Sequence, residues 1–143
     1  MGFPAPEVGL VVSFAYLWHH EQQRGNTEGT KNRPCVIVTA VESVDGQTVV
    51  TVSPITHAQP QDVNSAIEIP VRVKRHLGLD DERSWVILTE VNRFAWPGYD
   101  LRPISTRDSG VAYGFLPPVL FDQIKDGILA RIRTGTRTTT MRE

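Results

Sequence analysis

Apolar and polar positions fall in short blocks along the 143-residue chain, and the blocks predict its elements. Val8 to Phe14 is apolar and partly β-branched, as a first strand buried on at least one face would be. From about Leu17 to Arg33 the chain turns polar, with Gly25 and Gly29 inside, which predicts a long loop from 17 to 33. Pro34 opens a second strand that runs to about Val41. Asp45-Gly46 signals a type I′ turn, and Thr48 to Ile55 returns as a third strand. Pro54 ends regular pairing, so Thr56 and His57 lie at the exit of that strand. A further strand is expected near Ser65 to Ile69, one or two helical turns over Val71 to Leu77 stopped by Gly78, and another strand over Ser84 to Thr89. Trp96-Pro97-Gly98 reads as a turn.

Only one segment carries a strong helical period. From Pro117 onward, Leu120, Ile124, Ile128 and Ile132 recur every fourth residue with Phe121 and Leu129 beside them, and proline suits the first turn. Thr134 to Glu143 is rich in Thr and Arg and is expected to fray. The pattern as a whole predicts a single domain spanning 1–143, mainly β: five to seven short strands in a curled antiparallel sheet, with a C-terminal α-helix.

Composition narrows the function classes. With 40% hydrophobic and 22% charged residues, the chain has enough apolar material for a core without metal or disulfides. A formal net charge of -1 excludes the global positive field of a protein that coats DNA, so any nucleic-acid contact must be a local patch. The one cysteine, Cys35, stands in an apolar run and reads as a buried thiol. The start lacks the charged-then-apolar pattern of a leader, and no apolar stretch reaches bilayer-crossing length. A cytoplasmic protein without membrane contact is therefore expected.

The candidate chemistry comes from strand ends. Arg33 precedes the second strand and Thr56 follows the third, and in an antiparallel hairpin those two ends are neighbours. Arginine offers a planar, permanently charged fork that matches phosphate oxygens, and threonine offers a hydroxyl. Together they can hold a phosphodiester and stabilise the charge that builds as a nucleophile attacks phosphorus.

The order Gly9-Leu10-Val11-Val12, a polar loop with Glu28 five residues before Arg33-Pro34, a hairpin, and then Ser53-Pro54-Ile55-Thr56 resembles the MazF/PemK toxins of type II toxin–antitoxin systems. Thr89-Glu90-Val91-Asn92-Arg93-Phe94 resembles that family's acidic–apolar–basic segment after a buried strand. Lys31-Asn32, standing between Gly29 and the Arg-Pro pair, departs from the family, as does a longer first loop with His19-His20. The resemblance implies a small, strongly bent β-barrel that forms a homodimer and pairs with an antitoxin protein. It also implies metal-independent cleavage of single-stranded RNA, without cofactor, to 2′,3′-cyclic phosphate and 5′-hydroxyl ends. By the same resemblance Arg33 and Thr56 are catalytic and Glu28 assists; Lys31, Asn32, Glu90, Asn92, Arg93 and Trp96 are read as candidate substrate contacts.

Several residues carry two readings. His57 can transfer protons near neutrality or be a hydrogen-bonded strand-end residue. Trp96 and Tyr99 can stack on unpaired bases or form a packed corner. Lys31, Arg33, Arg72, Lys74, Arg75 and Arg93 can line a basic groove, although Arg72, Lys74 and Arg75 also suit a solvated face. Two other functions remain open: a non-enzymatic gyrase-binding toxin of the CcdB branch, against which the polar C-terminal end counts, and a relative that binds RNA or a partner without cleaving.

Overall fold

A computed structural model describes residues 3–26, 29, 31–104, 110–135 and 137–142. Its strands are β1 (Leu10–Phe14), β2 (Arg33–Glu42), β3 (Thr48–Thr56), β4 (Ala66–Glu68), β5 (Trp85–Ile87), β6 (Glu90–Trp96), β7 (Ala112–Phe115) and β8 (Thr138–Met141). The helices are α1 (His19–Gln23), α2 (Val71–Leu77) and α3 (Pro118–Arg133), with a single 3-10 turn at Val63–Ser65. The strands run in the order β4-β5-β3-β2-β1-β7, and β6 branches from β3 to carry β8. Every pairing is antiparallel except that of β6 with β8. The sheet is mainly antiparallel and has a C-terminal helix, as the pattern predicts, but it is not closed into a barrel.

The central strands are buried on both faces. Val11, Val36, Val38 and Ile55 meet Val73 and Leu77 of α2 and Leu120, Ile124 and Ile128 of α3. Their chain neighbours Leu10, Val12, Phe14, Cys35, Ile37, Val50 and Val52 point the other way, into a second core with Tyr16, Phe94 and Leu101. A strand with apolar neighbours on both sides shows a continuous apolar run rather than alternation. That is why Cys35 to Val38 is wholly apolar. Burying each of the three α3 side chains contributes roughly 1.5–3 kcal/mol.

Local chemistry sets the turns. The β2–β3 hairpin is closed by the five residues between Glu42 and Thr48, of which only Gly46 has positive φ (87°), so the expected type I′ turn is absent. Ser43 Oγ holds this loop through Asp45 and the Gln47 carbonyl. α2 ends where Gly78 takes a left-handed φ of 72°, with its amide and that of Leu79 donating back to the carbonyls of Arg75 and Lys74.

Three other expectations change. The 17–33 loop contains the short helix α1, started at Trp18, whose amide donates to Glu21 Oε1. Residues 90–96, read only as a motif and a turn, form β6, and its Trp96–Pro97 peptide is cis. The tail does not fray over its described residues. Thr138–Met141 pairs with β6, and Arg142 is buried with Nη2 2.8 Å from Asp100. Thr and Arg look like solvated residues when only neighbours in sequence are considered, and here their partners lie about forty residues or more away.

Candidate functional site

The β2–β3 register determines the geometry of the site. Cys35 lies opposite Pro54, so continuing that register outward by two residues on each strand brings Arg33 opposite Thr56. Both residues have the strand parity of Cys35, Ile37, Val50 and Val52, and so emerge on the face of the second core. There they line one cleft of about 780 Å³, together with Lys31, Asn32, His57 and Trp18. Its far wall comes from the α2–β5 connection, including Leu79, Asp80 and Ser84, and from Tyr113 of β7.

Arg33 is half-buried. Its guanidinium carbon lies 5.0 Å from the centroid of the Trp18 ring, a cation–π contact, and its Nε is buried without a hydrogen-bond partner among the described residues. A buried donor left unpaired costs about 1–3 kcal/mol. Thr56 Oγ1 accepts a hydrogen bond from the Ala58 amide at 3.1 Å. That contact uses an oxygen lone pair and leaves the hydroxyl proton free to be donated.

Next to Thr56, His57 is held at both ring nitrogens. Nε2 lies 2.8 Å from Asp80 Oδ2 and Nδ1 3.2 Å from Glu82 Oε2. Asp80 also accepts from Lys74 Nζ at 3.1 Å, and Lys74 is buried by α2. Lys74 therefore belongs to this ion-pair network rather than to a solvated face or an open basic groove. Partial burial would raise the Asp80 pKa, but the hydrogen bonds from Lys74 and His57 outweigh it and hold the carboxyl below its ordinary value. His57, Asp80 and Glu82 bring nitrogen and oxygen atoms within 4.8 Å of one another, and they are the residues that could hold a cation here.

The other expected substrate contacts lie away from the cleft. Asn92 is fully buried: its Oδ1 accepts from the Leu17 amide at 2.9 Å and its Nδ2 donates to the Leu17 carbonyl at 2.8 Å. Glu90 Oε1 accepts from the Tyr16 hydroxyl and the His19 amide, both at 3.1 Å. Burial is the main cause that raises the Tyr16 pKa, with the Glu90 charge second. Arg93 lies within β6 opposite Thr51 and Met141. Trp96 packs on Phe94 and donates to the Pro4 carbonyl, which favours the packed corner, whereas Tyr99 is exposed. Glu28 lies outside the described residues.

Sequence reasoning missed Trp18 and His20, which both line the cleft. One signal was present: Gly29. A Cβ there would collide with the Tyr16 and Ala15 carbonyl oxygens, so the returning chain presses against the exit of β1. That close crossing carries Arg33 back over Trp18. Comparison with protein-family models, with curated proteins and with solved structures finds no match to this chain.

Proposed function

We propose that the chain is an endoribonuclease toxin of the MazF/PemK kind, cleaving single-stranded RNA by attack of a 2′-hydroxyl on its own 3′-phosphorus. The observation that carries this reading is that Arg33 and Thr56 stand at adjoining ends of β2 and β3 and line one cleft, with the Arg33 Nε unpaired among the described residues. In the proposed reaction the new O2′–P bond forms and the P–O5′ bond breaks, giving a 2′,3′-cyclic phosphate and a 5′-hydroxyl. Arg33 neutralises the charge that builds on the non-bridging oxygens, and Thr56 donates its hydroxyl proton to one of them as a hydrogen bond. The 2′-hydroxyl loses a proton and the departing 5′-oxygen gains one. His57, next to Thr56, is the residue placed to carry a proton. To do so it must release one carboxylate, and Glu82, the more exposed of the two, is the one to go.

Lys31 and Asn32, at the mouth of the cleft, are the remaining substrate contacts in this reading. The strong bend of the sheet, the homodimer and the antitoxin partner rest on the resemblance in residues 8–94 and belong to the same proposal. Purified protein should cut unstructured RNA in the presence of EDTA, leaving cyclic phosphate ends. Arg33→Ala and Thr56→Ala should each lower the rate by about 100-fold or more, the usual scale for losing a group that stabilises developing charge. Absence of cleavage by the wild type over a broad set of RNAs would refute the assignment.

A further inference from the structure

The wall of the cleft formed by residues 17–20 has features that phosphate chemistry does not require. Trp18 is half-buried, lines the cleft, and carries the Arg33 guanidinium over its ring. The exposed His20 ring lies nearly parallel to it, at 19° and 6.4 Å between centroids. Rings in full face contact sit closer than that, and both residues line the cleft. Tyr16 supports Trp18 from beneath, edge to face at 5.0 Å.

The backbone under this aromatic pair is fastened unusually firmly for a segment outside any strand. Asn92 grips both polar groups of Leu17, Glu90 takes the His19 amide, and Glu21 takes the Trp18 amide. Tryptophan does not need its own amide and both neighbours tied down in order to fill a core. A rigid ring beside an arginine is what recognition of a flat ligand attached to an anion needs, because little is then lost on binding.

The geometry points to a nucleobase-stacking subsite made by Trp18 and His20, holding the base of a nucleotide whose phosphate is bound by Arg33. This rests on the ribonuclease reading and deepens it, since it assigns the ligand of one wall of the same cleft. Every base has a π-face, so stacking of this kind adds affinity with little sequence preference. A base in this position also fixes the sugar and phosphate attached to it relative to Thr56.

The test uses ligands that cannot be cleaved: a short single-stranded oligodeoxynucleotide, and the same backbone with abasic residues. Binding is read by fluorescence anisotropy of the labelled strand and by quenching of protein tryptophan emission. The wild type should prefer the base-bearing strand by about ten-fold, the usual worth of one base stacked on an aromatic ring. Trp18→Tyr should keep most of that preference, and Trp18→Leu should lose it, binding the base-bearing and abasic strands alike. Should Trp18→Leu fail to fold, the exposed His20→Ala decides, with a reduced preference expected. Equal binding of the two strands by the wild type, or a full preference in Trp18→Leu or in His20→Ala, overturns the subsite. Base-dependent binding without RNA cleavage would overturn the ribonuclease reading alone, and cleavage without base-dependent binding would overturn the subsite alone.

Discussion

Single residues in the cleft do more than one job. Arg33 is at once the first residue of β2, the cation over Trp18 and the holder of a buried Nε that no described residue pairs. Its neighbour Cys35 is fully buried, and burial pushes its thiol far above the ordinary range, so it plays no nucleophilic part. Asp80 is a cleft residue whose protonation matters to the fold. Its carboxyl titrates lower when folded than when unfolded, so the ionised form favours the fold above the ordinary carboxyl value. That advantage is lost as pH falls below about 4 and through the depressed folded value. The melting temperature of Asp80→Asn should accordingly lie below that of the wild type near neutrality, and the gap should close in acid. A gap unchanged down to about pH 3 would show that the Lys74 and His57 contacts contribute no linkage.

Among the elements, β8 has the least obvious reason to exist. Its four residues, Thr138 to Met141, have one buried side chain, Thr140, and they pair in parallel with β6. What fastens the strand is the residue after it. Arg142 Nη1 donates to the Ala15 carbonyl at 2.8 Å and to Asn92 Oδ1 at 3.0 Å, Nη2 lies against Asp100, and the guanidinium covers the Phe14 ring. Removing one partner from a buried ion pair costs about 3–5 kcal/mol. Arg142→Ala should therefore lower stability by that order in urea unfolding, far more than a surface arginine would. Elements built on local signals were legible beforehand: the β2–β3 hairpin from its β-branched runs, α2 from Gly78, and α3 from its four-residue period. β8 and α1 were not, because their partners, β6 and Asp100 for the tail and Glu90 for the start of α1, come from other parts of the chain. The site divides in the same way. Arg33 and Thr56 follow from counting along a hairpin, whereas Trp18 reaches Arg33 only because the chain folds back at Gly29. Glu90 and Asn92 were legible as important and misassigned in role, since a sequence does not show whether a polar side chain faces solvent or a backbone amide.

At the scale of the whole molecule, the protein is a sheet with a core on each face, and the cleft opens where the second core ends. α2 and α3 cover one face, and no helix among the described residues is long and apolar enough to cross a membrane. The two walls of the cleft differ in kind. One, around residues 17–20, is tied to β6 by fully buried Asn92, and the other, around residues 57–60 and 79–82, is largely exposed, its His57 pairs being surface contacts of small individual worth beside one link from Asp80 to the buried Lys74. The double grip of Asn92 on Leu17 then has a consequence in time. The Leu17 amide lies outside every helix and strand, yet it should exchange its hydrogen with solvent as slowly as amides of β2 and β3, opening only with the whole fold. Amides of residues 79–82 should exchange far faster. The cleft would then have one fixed jaw and one yielding jaw, and a ligand entering it would be fitted by movement of the Asp80 side alone.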